Sequence, residues 1–319
     1  MSADAADRYR VVIDEDSLNW CGRSGIELAS EVDNLSDILQ PLTVGKHVGL
    51  MDHAYEIECW ESVHIYDLHG THNLQVPRDT RLRLAKLIDK CRLLHPEDRD
   101  IPQQVEIGGL AAERSFGFCH ALALAAEGHA MSTLIASSMH ENRGWLTVRR
   151  ELEPTDLELH LLTSPNHIPD FWRGVLRREA SNPEKFFELA PAAFPNLIFA
   201  EALNFGRFSA SYTEVLPWLL ITLEGINDHF ADSLARHQGD RNKVIQDFAG
   251  RGLDVSPESP STHKDTQAWN QRLVRYRKLD YRCEWHGKRL WNRDRVHFSL
   301  PIASYGGKIL VGIFADHLD

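Results

Sequence analysis

Residues 272–279 (RLVRYRKL), 281–290 (YRCEWHGKRL), 294–301 (DRVHFSLP) and 308–318 (KILVGIFADHL) alternate polar and apolar side chains. A period of two is that of a strand with one buried face. The four segments therefore predict a C-terminal antiparallel β-meander. Trp291-Asn292-Arg293-Asp294 joins the second to the third. A turn centred on Asn292 and Arg293 sets Lys288 opposite His297 and Arg289 opposite Val296. Glu284, His286 and Lys288 then share a face with Arg295, His297 and Ser299. Cys283, Trp285, Val296 and Phe298 take the other face, the core side. His317 joins the polar face from the fourth strand.

Upstream, the pattern mixes helix with strand, so the fold class expected is α+β. Residues 8–13 (RYRVVI) read as a strand, and 24–41 repeat apolar residues at helical spacing. Asp79 is a candidate N-cap for a helix over 78–94, and residues 115–127 read as a buried helix. Gly108-Gly109 reads as a boundary. Asn182-Pro183-Glu184 opens a helix with Pro at its first position, and 213–236 continue at helical spacing. Residues 250–267 (GRGLDVSPESPSTHKDTQ) carry two Ser-Pro steps and no apolar period, which reads as a linker or loop. The expected organisation is an α/β regulatory or partner-docking part over 1–230 and a module with the basic sheet over 231–319.

The chain has 319 residues, 43% of them hydrophobic and 25% charged, enough apolar material for two packed cores. No apolar run approaches the roughly 18 residues that span a bilayer. Five scattered cysteines without a CxxC pair make neither a disulfide framework nor a cysteine zinc site. These features predict a cytoplasmic protein without a membrane partner. No glycine-rich phosphate loop, GxSxG or HExxH occurs, so no cofactor is expected. The formal charge is −11, yet Lys264 to Arg295 holds ten Lys/Arg against four Asp/Glu. That stretch is net +6 inside a chain whose remainder is −17. A local basic segment of this kind fits RNA or DNA, with Arg272, Arg275, Arg277, Lys278, Arg282, Arg289 and Arg293 as the binding candidates. A solvated basic face balanced by acidic neighbours explains the same counts.

The polar face has a chemical logic of its own. Cleaving RNA without a metal takes a base for the 2′-hydroxyl proton, an acid for the leaving oxygen and cations for the phosphorane charge. Histidine serves as base or acid near neutral pH, and Arg or Lys clamps phosphate. The catalytic candidates are Glu284, His286, Lys288, Arg295, His297 and His317. The run WHGKRLWNRDRVHFSLP followed by GGKILVGIFADHL resembles the C-terminal sheet of the RelE/ParE toxin superfamily, its YoeB-like members above all. The resemblance implies that Arg295 holds phosphate, that His317 acts on the leaving group, and that Lys288 and Arg289 are the basic positions of the preceding strand. It covers the last 50 to 90 residues. Those toxins are small and basic, whereas this chain is large and acidic and carries Asp316 before His317.

Two metal readings stand beside this one. His286, His297 and His317 meet on neighbouring strands and suit zinc or manganese. Asp14 follows the first strand, as in magnesium nucleases, with Asp79 and Asp89 as further carboxylates; an acid there is also an ordinary helix cap. His53, His64, His69 and His72 read as surface or satisfied core residues, and Phe171/Trp172, Phe186/Phe187 and Phe194/Phe199 as core. The function expected is a nucleic-acid-associated, toxin-like or antiphage-defence protein, with metal-independent ribonuclease activity as its enzymatic form and a protein partner for the acidic part. The alternative is a non-catalytic subunit of a multi-protein complex that uses the basic face for assembly.

Overall fold

The computed structural model describes residues 9–70, 75–95, 104–135, 143–150, 153–316 and 318. The architecture is α+β, and the chain divides into two compact units, Met1–Glu179 and Ala180–Asp319. The division falls well before residue 230.

In the first unit the strands are β1 (Val11–Ile13), β2 (Val48–Met51), a small ribbon of β3 (Glu58–Trp60) and β4 (Val63–His64), β5 (Arg92–Leu94), β6 (Gln104–Ile107), β7 (Leu110–Glu113), β8 (Ser132–Leu134), β9 (Gly144–Arg150) and β10 (Glu153–Leu162). The helices are α1 (Gly25–Val44), α2 (Arg78–Ile88), α3 (Phe116–Ala126) and α4 (Ile168–Glu179). Among the described residues one eight-stranded sheet runs β5-β2-β1-β8-β10-β9-β6-β7. Its first five strands are parallel and β9, β6 and β7 are antiparallel. Val11, Val12 and Ile13 are all fully buried, as expected of a central parallel strand covered on both faces. From β1 the order runs outward one way through β2 and β5 and the other way through β8 and β10. Gly108-Gly109, both at positive φ, form the tight turn between β6 and β7 rather than a boundary. Helix α3 presses onto the end of β1: a Cβ on Gly117 would stand 2.4 Å from the Ile13 carbonyl oxygen.

The second unit contains α5 (Pro183–Ala193), β11 (Leu197–Phe199), α6 (Tyr212–Gly225), α7 (Ala231–Arg236), α8 (Arg241–Ala249), β12 (Val255–Pro257), α9 (Pro260–Lys264) and α10 (Thr266–Gln271). It then runs through β13 (Leu273–Tyr276), β14 (Leu279–Arg282), β15 (Trp285–Leu290), β16 (Arg293–Phe298) and β17 (Ile309–Ala315). A five-stranded sheet has the order β11-β17-β16-β15-β12. Strands β15, β16 and β17 form the expected antiparallel meander, and β11 joins β17 in parallel. Because β11 and the Phe230 ring both pack with this meander, residues 180–230 belong to its core. Phe230 meets Trp285 at 5.0 Å and Phe298 at 4.9 Å between ring centroids.

Three sequence expectations are corrected here. The first alternating segment does not enter the meander. Arg277 and Lys278, both at positive φ, fold β13 and β14 into a separate hairpin. The stretch 250–267 is no linker, since β12 pairs with β15 and the short helices α9 and α10 follow. The β15–β16 turn is centred on Trp291 and Asn292, so Lys288 faces Arg295 and His286 faces His297. This register differs by two residues from the expected one, which leaves the face assignment unchanged.

Candidate functional site

The two faces of the β15–β16 hairpin sort as the alternation implies. Trp285, Val296 and Phe298 are fully buried with Phe230, and Cys283 is buried as well. Gly287 lets α6 sit close on this face, where an added Cβ would be 2.6 Å from Thr222 Cγ2. The opposite face is not open to solvent. His286 is 4% and His297 0% exposed, which corrects their assignment to an accessible catalytic surface. A buried carboxylate, Glu258, and a buried guanidinium, Arg272, lie against them.

The remaining catalytic candidates do not join this pair as a set. Glu284 points to Arg241, 3.5 Å away. Lys288 stands 3.9 Å from Asp254. Arg295 is half-buried opposite Lys288, and burial lowers its pKa. His317 lies outside the described residues, as does His72.

Glu258 was not anticipated. It follows β12, whose register sets Ser256 opposite His286 and Pro257 opposite Trp285. Its Oε1 is 3.3 Å from His286 Nδ1, 3.2 Å from His297 Nδ1 and 3.1 Å from Arg272 Nε. Burial pushes His297 down to about 4 and lowers His286 as well, so both rings are neutral at pH 7.

The basic candidates separate into two groups. Arg272 is 1% exposed and bound to Glu258 and to the Ala268 carbonyl at 2.7 Å. Arg282 donates to the Trp269 carbonyl and lies over the Trp269 ring. Arg289 pairs with buried Asp294 at 2.9 Å. These three serve the fold, because a long cation in a half-buried sheet is stabilised by a partner. Arg275, Arg277, Lys278 and Arg293 are exposed. Around the β13–β14 hairpin, Tyr305 packs edge-on against Tyr276 at 5.6 Å and Tyr281 at 6.2 Å. The Arg277 guanidinium sits 5.6 Å from the Tyr276 ring. Beside the hairpin, Arg207, Gln271 and Arg275 border an open cleft of about 540 Å³.

The first unit holds a second polar cluster at the carboxyl ends of its parallel strands. Asp14 follows β1 and is 1% exposed, its Oδ2 without a hydrogen bond among the described residues. Burial raises its pKa to about 7, against the lowering effect of Ser115. Glu15 accepts from the Gly117 N–H at the start of α3 through both oxygens, at 3.0 and 2.8 Å. His53 Nε2 is 3.1 Å from the same carboxylate. Asp52, at the end of β2, pairs with His95 Nδ1 at 2.7 Å. The companions expected for Asp14 are elsewhere: Asp79 is exposed in the first turn of α2, and Asp89 pairs with His69 at 2.9 Å. Short strands hid Glu15 and Asp52 from pattern reading, although Asp52 directly follows an apolar run and Glu15 is one residue beyond one.

Comparison with family models, with curated proteins and with solved structures gave no match. Among the described residues no helix is long and apolar enough to cross a membrane.

Proposed function

We propose that this is a nucleic-acid-associated protein of the toxin-like or antiphage-defence class, with the second unit as its nucleic-acid-binding part. One observation carries the reading: exposed Arg275, Arg277 and Lys278 share a hairpin with Tyr276 and Tyr281, next to Tyr305. Cations that track phosphates, interleaved with aromatic rings, are what single-stranded nucleic acid selects for. The resemblance of the β15–β17 segments to the RelE/ParE toxins adds to it. Cleavage by the His286/His297 pair is not part of this reading, because Glu284 and Lys288 pair with Arg241 and Asp254 instead of joining the two rings. Anisotropy of a labelled single-stranded RNA, repeated with the DNA of the same sequence, tests it. The full chain should bind at low salt and weaken steeply as salt rises. The triple variant Arg275→Ala, Arg277→Ala, Lys278→Ala should bind less tightly, with a salt slope shallower by about 0.7 per phosphate contact removed. No binding at low ionic strength would leave assembly of a protein complex as the role of this face.

A second reading concerns the first unit and rests on Asp14. In open parallel sheets, ligands sit outside the carboxyl ends of the strands where the order reverses. Asp14 occupies that place at the end of β1, buried and with a pKa near 7. A carboxyl so tuned exchanges protons at neutral pH, which fits hydrolytic acid–base chemistry. A panel of phosphodiester and phosphomonoester substrates should reveal turnover that Asp14→Asn removes by about 10²-fold or more. Turnover that survives the substitution would end this reading.

A further inference from the structure

Glu258, His286 and His297 converge from three separate segments. The β15–β16 register sets the two histidines side by side, and β12 delivers Glu258 along the other edge of β15. One donor atom from each lies within 4.8 Å of the others, and all three residues are buried. Two features distinguish the cluster from a hydrogen-bonded network. Both Nδ1 atoms stand close to Glu258 Oε1, at 3.3 and 3.2 Å, yet neither makes a hydrogen bond to it or to any other described residue. The distances are short enough, so the direction is what fails. In addition, the Nε2 of His297 has no hydrogen-bond partner among the described residues, although the side chain is fully buried. A buried ring without a bond on either nitrogen is costly, and it needs a reason.

Spacing and donor chemistry supply one. Bonds of about 2.0–2.2 Å from a metal to imidazole nitrogen and carboxylate oxygen, arranged tetrahedrally, put neighbouring donors roughly 3.3 Å apart. The two nitrogen–oxygen separations here have that value. Two neutral imidazoles and one carboxylate form a donor set for a borderline divalent ion. Outer partners are in place for two of the three donors. Arg272 braces Glu258 through Nε and, at 3.5 Å, through Nη2 to Oε2, while His286 Nε2 lies 3.4 Å from Ser256 Oγ.

We propose that Glu258, His286 and His297 form a divalent metal site of the zinc class, closed within the second unit. Arg272 already offsets the carboxylate charge, so the loaded centre carries surplus positive charge and takes hydroxide or another small anion as its fourth ligand. The site stands independently of nucleic-acid binding. It uses two of the three histidines that strand neighbourhood suggested, with Glu258 as the third donor.

The experiment uses the full chain, stripped with a chelator and dialysed. Zinc is titrated calorimetrically, cobalt by visible absorption, and bound metal is counted by elemental analysis. The expected result is about one equivalent per chain, visible cobalt bands that zinc abolishes, and a thermal midpoint raised by roughly 5–10 °C at saturating zinc. Glu258→Gln and His286→Ala should each lose the stoichiometric site. If either variant fails to fold, the cobalt spectrum of the unaltered chain decides. An unaltered chain that takes up neither metal in stoichiometric amount would overturn the proposal and leave a salt-bridged cluster. Folded variants that still bind one equivalent would overturn it equally, by placing the metal elsewhere.

Discussion

At the scale of single residues, burial sets the chemistry more than residue type does. Asp14 and Asp89 are both acids, but only Asp14 is enclosed, and burial raises its carboxyl to about 7. The folded chain therefore keeps a proton there that the unfolded chain, titrating near 3.9, has already released. Between about pH 4 and 7 the native state holds more protons at this carboxyl, so its own contribution to stability falls as pH rises and is gone above 7. The total is on the order of 4 kcal/mol for such a shift. Burial of His286 and His297 acts in the opposite sense in any variant, so denaturant melts at pH 4, 6 and 8 should show the stability of the unaltered chain relative to Asp14→Asn falling as pH rises. A difference between the two that stays constant with pH would mean that Asp14 keeps no extra proton in the folded chain. His286 and His297 were placed on one face by alternation alone, because parity survives a two-residue error in register. Glu258 was not legible, since its neighbourhood arises from pairing across 28 residues of chain.

At the scale of elements, close approach is the controlling quantity. Helix α6 rests on β15 at Gly287, where any side chain would meet Thr222 Cγ2. Gly287→Ala should cost about 1–3 kcal/mol of stability through overpacking. Combining it with Thr222→Ala should recover part of that cost, because the two positions share one contact. Additive losses in the double-mutant cycle would show that the strain is relieved somewhere else. The same scale explains the fate of the basic segment. Alternation read 272–290 as two long strands, whereas the positive-φ pair Arg277 and Lys278 closes a tight hairpin. That turn leaves its cations exposed, while at the ends of the hairpin Arg272 is buried and Arg282 is half-buried against the Trp269 carbonyl.

For the whole molecule, the position of the unit boundary has a direct consequence. The second unit contains β11 beside β17 and Phe230 against Trp285 and Phe298. A fragment of residues 180–319 should unfold cooperatively by itself. A fragment of 231–319 lacks a strand and the central ring of its core, and it should show no cooperative transition. Calorimetry of the two fragments checks this, and a folded shorter fragment would restore the boundary near 230. The amino-acid sequence by itself determined the α+β class, most helices of both units, the antiparallel run of the last three strands and the faces that the side chains of β15 and β16 take. Those properties follow from local periodicity and from capping and turn residues, which act over a few positions. Only the tertiary structure decided that His286 and His297 are buried, that Glu258 joins them, that Glu15 is held by the start of α3, and which cations stay exposed. Each of these depends on strand order and on what covers a face, and both are set by contacts between segments far apart in the chain.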